Sequence, residues 1–363
     1  MQAIVAIPGS DRASVVDHPQ PESVPAGYIL CESVEIGICG TDREILLSKS
    51  PHVPRGESRL ILGHECLGRV VEVGAGVTDY QAGDWVVPVV RRPLENPPDP
   101  RRAQRPDMLP MGQFTERGIF FEDGFATKYW LDRPEFVVDV EPELSDVAVL
   151  AEPFAVAEKG INEAEIVQKS RLEHLDGHYE PRVLVTGMGP IAFAAALIAR
   201  VRNWPVTMAG RDQPDTFRAT LAAEFDIDFR QLDDMNLADV DVEEAGFDLL
   251  LECTGSDEIA AEYGSWVRSC GAIVWLGASR IPKPRNHNVE RMMCEAIFRN
   301  HVILGTVNSA MRDFIDALRH LKDLKARFPA ATKKLFTERL SAEESLVLYN
   351  SRVKQSVKTL VEF

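Results

Sequence analysis

The sequence is poor in cysteine, and its few thiols have no regular spacing. The six are Cys31, Cys39, Cys66, Cys253, Cys270 and Cys294, in a chain of 363 residues. No C-x-x-C pair occurs among them, so a disulfide scaffold is not indicated. We therefore expect free thiols and a reducing, cytoplasmic location.

A long apolar run and an excess of positive charge are also absent. A transmembrane helix needs about 18 or more consecutive apolar residues, and no such run occurs. Residues 1–6 begin a strand-like pattern with no basic segment before an apolar core, so no secretory signal is expected. The net charge of −16 would repel nucleic acid and anionic membranes, so neither is an expected partner. Such acidity favours solubility, and a salt-rich environment is an alternative that charge alone does not establish.

The N-terminal part of the chain has the alternation and the turn residues of β-structure. Residues 29–36 and 68–73 alternate apolar and polar side chains, and residues 83–88 form a strand-like run closed by proline. Glycine and proline separate these runs, which predicts a compact antiparallel barrel or sheet. Residues 91–107 are rich in proline and arginine, which predicts a surface excursion, either a plain solvated loop or a lid.

After residue 180, strand patterns alternate with helix patterns. Strands are predicted at 183–186, 205–209, 247–252 and 272–276, and helices at 191–202 and 313–325. Such alternation is typical of βαβ units on a parallel sheet. The fold class is therefore predicted to be α/β, with a β-rich part followed by a doubly wound sheet.

A glycine-rich turn joins the first of these strands to its helix. Gly187, Gly189 and Ala192 fit the G-x-G-x-x-G/A pattern in the strand–turn–helix context that a dinucleotide site needs. Gly187 would make the turn, Gly189 would let the backbone approach a pyrophosphate, and Ala192 would keep the helix close to the strand. The free N–H groups of the helix N-terminus would bind phosphate. A turn without a ligand is the alternative.

The end of the second strand bears on the choice of cofactor. NAD sites usually place an acid about 20 residues after the glycines, where it binds the ribose 2′-hydroxyl. Here the strand runs into Gly210, Arg211 and Asp212. Gly210 leaves room and Arg211 offers a permanent charge to a 2′-phosphate, so NADP is predicted over NAD. Asp212 could restore NAD binding if it turned inward.

Three short strings contain candidate metal ligands. Residues 37–42 include Cys39, residues 63–65 include His64 and Glu65, and residues 151–153 include Glu152. Thiolate, imidazole and carboxylate are the donors that Zn²⁺ takes, and a catalytic site uses three of them and leaves one position open. Zinc together with a dinucleotide predicts redox chemistry on an alcohol. Each residue alone could instead be an ordinary core residue.

Together these strings resemble the zinc-dependent medium-chain alcohol dehydrogenase superfamily over nearly the whole chain. Residues 37–42, 63–65, 83–86 and the glycine-rich turn occur in the order and approximate spacing of that family. Further strings are similar to its glucose dehydrogenase branch known from archaea: residues 91–92, 114–118, 152–153, 158–159 and 307–309. The resemblance implies a GroES-like catalytic domain at 1–155, a Rossmann domain at 156–305 and a return to the catalytic domain at 306–363.

The resemblance implies a ligand set for one zinc ion. Cys39 and His64 would be ligands, and either Glu65 or Glu152 would be the third. Relatives often hold a second, structural zinc with four closely spaced cysteines at about positions 95–115. This chain has no cysteine between Cys66 and Cys253, so no structural zinc is expected.

The resemblance also implies roles for residues around that metal. Thr41 would relay the substrate proton toward solvent, although it could simply cap a helix. Asp42 would orient the ring of His64, although a helix N-cap is an equal alternative. Glu116 and Asn308 match sugar-contacting positions of the branch, whereas Val90 stands where relatives often have asparagine. Residues at the ends of later strands would contact the nucleotide: Thr254, Gly255, Leu276 and Gly277.

The implied reaction is the oxidation of a glucose-like aldose at its anomeric carbon to a lactone, with hydride transfer to NADP. A polyol or secondary-alcohol dehydrogenase of the same superfamily is an alternative. A non-catalytic NADP-binding redox sensor on the same fold is another. We expect a small-molecule sugar as the substrate and a homo-oligomer, either a dimer or a tetramer, as the assembly.

Overall fold

The computed structural model describes residues 1–94, 105–172, 178–235, 240–278, 288–351 and 356–363. The chain divides into two compact units. Unit 1 comprises Met1–Ala155, Asn308–Lys322 and Leu335–Phe363, and unit 2 comprises Val156–Val307 and Asp323–Lys334.

One C-terminal segment departs from the expected division of the chain. The expected return to the catalytic domain covers residues 306–363, but residues 306–307 and 323–334 group with unit 2. The reason lies in local contacts. The ring of Phe328 packs edge-on against Phe225, and the Lys334 ammonium lies 2.6 Å from a Glu224 carboxylate oxygen.

Strands dominate the described part of residues 1–141. In chain order the elements are β1 (Gln2–Ala6), β2 (Ser14–Asp17), β3 (Ile29–Gly37), α1 (Gly40–Ser48), β4 (Leu60–Ile61), β5 (Glu65–Val73), β6 (Trp85–Pro88), β7 (Arg91–Pro93), β8 (Phe114–Arg117), β9 (Phe121–Glu122), β10 (Tyr129–Asp132) and β11 (Val137–Val140). The predicted runs at 29–36, 68–73 and 83–88 correspond to β3, β5 and β6.

Helices and strands alternate through most of the remaining chain. They are α2 (Ala151–Arg171), β12 (Val183–Thr186), α3 (Pro190–Val201), β13 (Val206–Gly210), α4 (Phe217–Glu224), β14 (Asp228–Gln231), α5 (Val242–Ala245), β15 (Phe247–Glu252), α6 (Asp257–Tyr263), β16 (Val267–Trp275), α7 (Val289–Phe298), β17 (Val302–Gly305), α8 (Met311–Arg327), α9 (Pro329–Lys333), β18 (Phe336–Leu340), α10 (Ala342–Asn350) and β19 (Lys358–Glu362). The predicted strands at 183–186, 205–209, 247–252 and 272–276 match β12, β13, β15 and the second half of β16.

Strand β3 is central to the larger sheet of unit 1. It pairs antiparallel with β5 along most of its length, with β10 near its start and with β19 near its end. The order across this sheet is β11-β6-β5-β3-β19-β18. Ile29, Cys31 and Ser33 of β3 are buried, whereas Leu30, Glu32 and Val34 between and after them are partly exposed, so burial alternates along the first part of this strand. This pairing brings the C-terminal strand β19 beside the end of β3.

The prediction that residues 91–107 form a surface excursion is wrong for the described residues at both ends of that range. Arg91 and Arg92 lie in β7 and are only 5% and 4% exposed, and Asp107 is 2% exposed. The arginines can be buried because their charges are paired, Arg91 with Glu116 and Arg92 with Asp132. Residues 95–104 lie outside the described residues.

Unit 2 contains a parallel sheet of the doubly wound type. Its order is β14-β13-β12-β15-β16-β17, and each adjacent pair is parallel. Numbered within this sheet, that is the order 3-2-1-4-5-6 of dinucleotide-binding folds. Its central strand β12, Val183–Thr186, is buried at every position. Helix α3 packs against β12 and β13 through a run of alanines, whose small side chains allow close approach.

The longest helix of the described chain, α2, spans 21 residues and carries internal charges. Its Glu158 forms an ion pair with Arg202, and its Lys159 ammonium donates a 2.8 Å hydrogen bond to the Val307 carbonyl. Among the helices described, none combines the length and apolar character needed to span a bilayer.

Candidate functional site

The register of β3 and β5 brings the two metal-ligand strings of unit 1 together. Gly37, the last residue of β3, lies opposite Glu65, the first residue of β5. The chain then continues to Cys39, which is the N-cap of α1, while His64 immediately precedes β5. A thiol and an imidazole that are far apart in sequence therefore lie at the same end of the sheet.

Cys39, His64 and Glu65 form a group of potential metal donors. One ligand atom of each lies within 4.8 Å of the others. His64 and Glu65 are 2% and 1% exposed, and Cys39 is partly exposed. One sulfur, one nitrogen and one oxygen donor form the mixture that suits a catalytic zinc ion. The residues present therefore fit the metal that the sequence predicts.

Asp42 lies beside both Cys39 and His64. Its Oδ2 atom accepts a 2.9 Å hydrogen bond from the Cys39 backbone N–H, and its Oδ1 atom lies 3.5 Å from His64 Nδ1. Asp42 is the third residue of α1 and stabilises the start of that helix. The N-cap position, which was the alternative role for Asp42, is occupied by Cys39. Burial alone would lower the pKa of His64, but Asp42 and Cys39 raise this pKa well above its usual value. A carboxylate oxygen of Asp42 therefore faces the Nδ1 side of the ring.

Lys358 is a charged neighbour that the sequence analysis missed. Its side chain is fully buried and forms an ion pair and hydrogen bond with Glu65 Oε2. Burial alone would lower the pKa of Lys358, but Glu65 and Cys39 raise it. No local motif marks this lysine; only the pairing of β19 with β3 brings it near the metal donors.

Glu152 lies outside the three-donor group but belongs to the same charge environment. It is in the first turn of α2 and is partly buried. The pKa of Glu152 is raised to about 7, mainly by burial; Glu65 and Glu116 act in the same direction, and His64 and Lys358 oppose the shift. The carboxylate of Glu152 therefore shares its electrostatic environment with the candidate ligands. Among the described residues, the carboxylate grouped directly with Cys39 and His64 is nevertheless that of Glu65.

Two further positions complete this part of unit 1. Thr41 lies in the first turn of α1 and is partly exposed. Glu116 is only 7% exposed, so it is not a solvated surface acid. It accepts a 2.8 Å hydrogen bond from the Asn308 side-chain amide and pairs with Arg91. The two predicted sugar-contacting residues are therefore bonded to each other, although 192 positions separate them in the chain.

The glycine-rich turn of unit 2 has the geometry that its sequence predicts. Gly187 has φ of +113°, a backbone conformation that favours glycine. Gly189 is the N-cap of α3, and no atom lies within 4 Å of the position that a Cβ would occupy there. Ala192 is buried against Gly187. Free backbone N–H groups at the start of α3 therefore adjoin open space, as phosphate binding requires.

The end of β13 lies beside this turn, because the Gly187 N–H donates a 2.8 Å hydrogen bond to the Ala209 carbonyl. At Gly210, a Cβ would come within 2.4 Å of Met188, so this glycine also makes room for packing inside the protein. Arg211 is exposed. The neighbouring Asp212 Oδ1 accepts hydrogen bonds of 3.0 and 2.7 Å from Arg218, so its charge is already paired.

The remaining nucleotide candidates follow β15 and β16. Thr254 and Gly255 come just after β15, and Leu276 and Gly277 follow β16 directly. Glu252, which the sequence analysis missed, accepts hydrogen bonds from the Thr254 and Gly255 N–H groups at 2.7 and 3.2 Å. Burial raises the pKa of Glu252, although these hydrogen bonds oppose the shift. A buried acid at the end of a central strand thus shapes this turn.

Comparison with known proteins supports the same architecture. The family models that match are described as an alcohol dehydrogenase GroES-like domain, over residues 25–141, and a glucose dehydrogenase C-terminus, over residues 145–363. Glucose 1-dehydrogenase 1 of Caldivirga maquilingensis is 35% identical over 99% of this chain and 97% of its own length. Glucose 1-dehydrogenase 2 of Vulcanisaeta moutnovskia is 33% identical over 100% of this chain and 99% of its own.

A solved structure of Haloferax mediterranei glucose dehydrogenase, in complex with NADP, Zn and gluconolactone, is similar with a TM-score of 0.86. It is 25% identical, and the match covers 100% of this chain and 99% of that one. The fold is thus that of a two-domain dehydrogenase with a GroES-like and a Rossmann domain, which confirms the predicted fold class. The chain belongs to the glucose dehydrogenase branch of the zinc-dependent medium-chain alcohol dehydrogenase superfamily.

Proposed function

We propose that this protein oxidises a glucose-like aldose at its anomeric carbon to a lactone, with hydride transfer to NADP⁺. The observation that carries the proposal is the largely buried Cys39–His64–Glu65 group, which shares its electrostatic environment with Glu152, in a member of the glucose dehydrogenase branch. Relatives that cover the whole chain bear the name glucose 1-dehydrogenase. The C1 hydrogen leaves with its electron pair, and the C1 hydroxyl loses its proton.

Cys39 and His64 are the proposed zinc ligands, with Glu65 or Glu152 as the third. Bound zinc would supply Lewis acidity that makes the sugar hydroxyl easier to deprotonate. Asp42 orients His64 through Nδ1, and Lys358 offsets the charge of Glu65, so one negative charge of the ligand group is already compensated. One catalytic zinc ion and no structural zinc are proposed for each chain.

Thr41 is the proposed proton relay. Its place in the first turn of α1, two residues after Cys39, and its partial exposure support a hydroxyl that reaches both the metal-ligand group and water. Glu116 and Asn308 are the proposed sugar contacts. A buried carboxylate and amide suit a polyhydroxyl ligand, because an unpaired polar group in such a pocket is costly.

NADP is the proposed cofactor, in preference to NAD. Gly187, Gly189 and Ala192 support pyrophosphate binding at the start of α3, and Thr254, Gly255, Leu276 and Gly277 end the neighbouring strands. Gly210 and Arg211 leave an exposed guanidinium for a 2′-phosphate. Arg218 pairs with Asp212 and so reduces the repulsion that Asp212 would exert on that phosphate.

The domain assignment, assembly and location are also proposals. The candidate zinc and sugar residues all lie in unit 1 and the candidate nucleotide residues in unit 2, which supports a catalytic domain built from residues 1–155 with a C-terminal return, and a nucleotide domain at about 156–305. Six free thiols favour the reducing cytoplasm. A homo-oligomer, dimer or tetramer, remains a prediction from the sequence.

Assays on a panel of substrates test this function. The panel contains aldoses, sorbitol and threonine, and each compound is assayed with NADP⁺ and with NAD⁺, in the presence and absence of a chelator. We expect an aldose with NADP⁺ to give the highest kcat/KM, and the chelator to abolish turnover. A higher kcat/KM for sorbitol or threonine would favour a polyol or secondary-alcohol dehydrogenase. Protein that binds NADP⁺ but contains no zinc and turns over none of these compounds would favour a redox sensor.

A further inference from the structure

Arg91 lies directly across from Glu116 in the small sheet of unit 1. Strands β7 and β8 pair antiparallel with Arg91 opposite Glu116. The guanidinium donates two hydrogen bonds to one carboxylate oxygen, from Nε at 3.0 Å and from Nη2 at 2.9 Å. Both donors reach the same atom, Glu116 Oε1. The pair is buried, with Arg91 5% and Glu116 7% exposed.

The other contacts of Arg91 fix the guanidinium in place. Nη1 donates a 3.0 Å hydrogen bond to the Asp107 carbonyl, and the guanidinium carbon lies 3.8 Å from the centre of the Phe114 ring. A planar group held on its face and at three nitrogens cannot rotate without losing several contacts at once. The carboxylate that it binds is therefore oriented as well.

Asn308 adds a third donor to the same oxygen of Glu116. Its Nδ2 atom donates to Oε1 at 2.8 Å, and its Oδ1 atom accepts a 2.8 Å hydrogen bond from the Ser309 N–H. Asn308 has φ of +59°, a conformation that asparagine tolerates better than most residues. Oε1 of Glu116 is thus occupied by three N–H groups.

After these contacts, Glu116 keeps one hydrogen-bond acceptor and Asn308 keeps one donor. Among the described residues, Glu116 Oε2 receives no hydrogen bond, and the amide of Asn308 keeps a second N–H. Glu116 and Asn308 both belong to unit 1, as do the candidate zinc ligands.

We propose that Arg91 is a positioning residue for sugar specificity: by occupying Glu116 Oε1, it dedicates Oε2 as an acceptor beside the free Asn308 N–H. An acceptor and a donor side by side match two neighbouring hydroxyl groups of a sugar, one that donates and one that accepts. This inference rests on the proposed function, because it identifies which feature of an aldose the site would recognise. A substrate that lacks one of these hydroxyls would leave a buried group unpaired.

The test compares D-glucose with 2-deoxy-, 3-deoxy- and 4-deoxyglucose in the parent protein and in Arg91→Lys. For the parent, kcat/KM should fall about 10- to 100-fold for at least one deoxy sugar. Arg91→Lys keeps the charge but loses the two-point contact with Oε1, so the ratio between glucose and that deoxy sugar should fall to within a few-fold. A purely structural role for Arg91 would lower kcat/KM for all four sugars equally.

Arg92→Lys is the matched control. Arg92 is equally buried in the same strand, but it pairs with Asp132 rather than Glu116. This variant should keep the deoxy-sugar ratio of the parent. If Arg91→Lys does not fold, as judged by loss of NADP⁺ binding, Asn308→Ala removes the free donor, together with the hydrogen bonds of Asn308 to Glu116 and to the Ser309 N–H, and should lower the same ratio.

Unchanged deoxy-sugar ratios in a folded Arg91→Lys variant, or in Asn308→Ala where Arg91→Lys fails to fold, would overturn the inference and leave the proposed function intact. Equal rates on glucose and all three deoxy sugars in the parent protein would overturn it too, again without affecting the proposed function. A parent protein that oxidises no aldose would overturn both.

Discussion

At the residue scale, two cysteines that lie close to the same strand can differ in their capacity to bind zinc. Cys39 and Cys66 illustrate this. Both are free thiols in or near β5, but burial raises the pKa of Cys66 and so disfavours its thiolate, whereas Cys39 lies next to His64. Since only a thiolate binds zinc, the two cysteines should differ sharply in function.

Replacing Cys39 by alanine should therefore remove zinc from the protein. We expect one zinc ion per chain in the parent, and a loss of affinity in Cys39→Ala larger than the 10- to 100-fold typical of losing an outer-shell partner. Metal analysis and competition with a chromophoric chelator would measure this. Cys66→Ala is the control and should retain its zinc. Two tightly bound zinc ions in the parent, or full affinity in Cys39→Ala, would contradict the assignment.

Cofactor preference is the second prediction at this scale. Replacing Arg218 by alanine releases the Asp212 carboxylate, whose charge then opposes a 2′-phosphate. We expect the ratio of NADP⁺ to NAD⁺ affinity to fall about tenfold, the effect of roughly 1.4 kcal/mol. Asp212→Asn in the same chain should restore the ratio. Fluorescence titration would give both dissociation constants.

The control for that measurement is Arg230→Ala. Arg230 also pairs with a nearby aspartate, Asp228, but it lies on the next strand, β14. Its loss should leave the NADP⁺ to NAD⁺ ratio unchanged. An equal ratio in Arg218→Ala and the parent would show that Asp212 has no influence on the phosphate.

At the element scale, helix α10 packs against α1, the helix that Cys39 caps. Ser341 and Glu344 form a capping box at its start, in which Glu344 accepts hydrogen bonds from the Ser341 N–H and hydroxyl at 3.1 and 2.7 Å. These hydrogen bonds from Ser341 lower the pKa of Glu344. Their contribution to folding is therefore full above the ordinary carboxyl pKa of 4.5 and is lost as the pH falls further.

Ser341→Ala should lower the free energy of unfolding by about 1 kcal/mol at neutral pH. The midpoint temperature of thermal unfolding should fall by about 2–4 °C. The difference between variant and parent should shrink below pH 4.5, where Glu344 takes up a proton. Ser58→Ala, in an exposed loop, is the control. A shift that is absent at neutral pH, or one that persists unchanged at low pH, would contradict the role of the box.

Local patterns in the sequence predict those strands and helices whose apolar residues recur at a regular spacing. Strand β12 of unit 2 is a continuous, mostly apolar run because both of its faces are buried, and β3 alternates over its first six residues because only one face is fully buried there. β7 was missed because Arg91 and Arg92 look solvent-exposed when read without their partners Glu116 and Asp132. Those partners lie 25 and 40 residues away, and no local pattern links them.

The residues of the candidate site also fall into two groups: those that belong to local motifs and those that only contacts between distant parts of the chain bring near the site. Cys39, His64 and the glycine-rich turn occur in compact motifs, so the sequence predicts them. Lys358 is separated from Glu65 by 293 positions, and a single lysine near the C-terminus carries no signal of its own. Arg218 was missed for a related reason, because the sequence does not reveal which arginine will pair with Asp212.

At the scale of the whole molecule, the candidate metal and sugar residues belong to unit 1 and the candidate nucleotide residues belong to unit 2. The proposed function requires hydride transfer from C1 of an aldose to NADP⁺. Incubation of the zinc-loaded protein with D-[1-²H]glucose and NADP⁺ tests this most directly, because the label reports the bond that breaks. Deuterium should appear at C4 of the reduced nicotinamide, with gluconolactone or its hydrolysis product, and a chelator should prevent both. Reduced cofactor without deuterium, or no reduction at all, would contradict hydride transfer from C1 of the sugar.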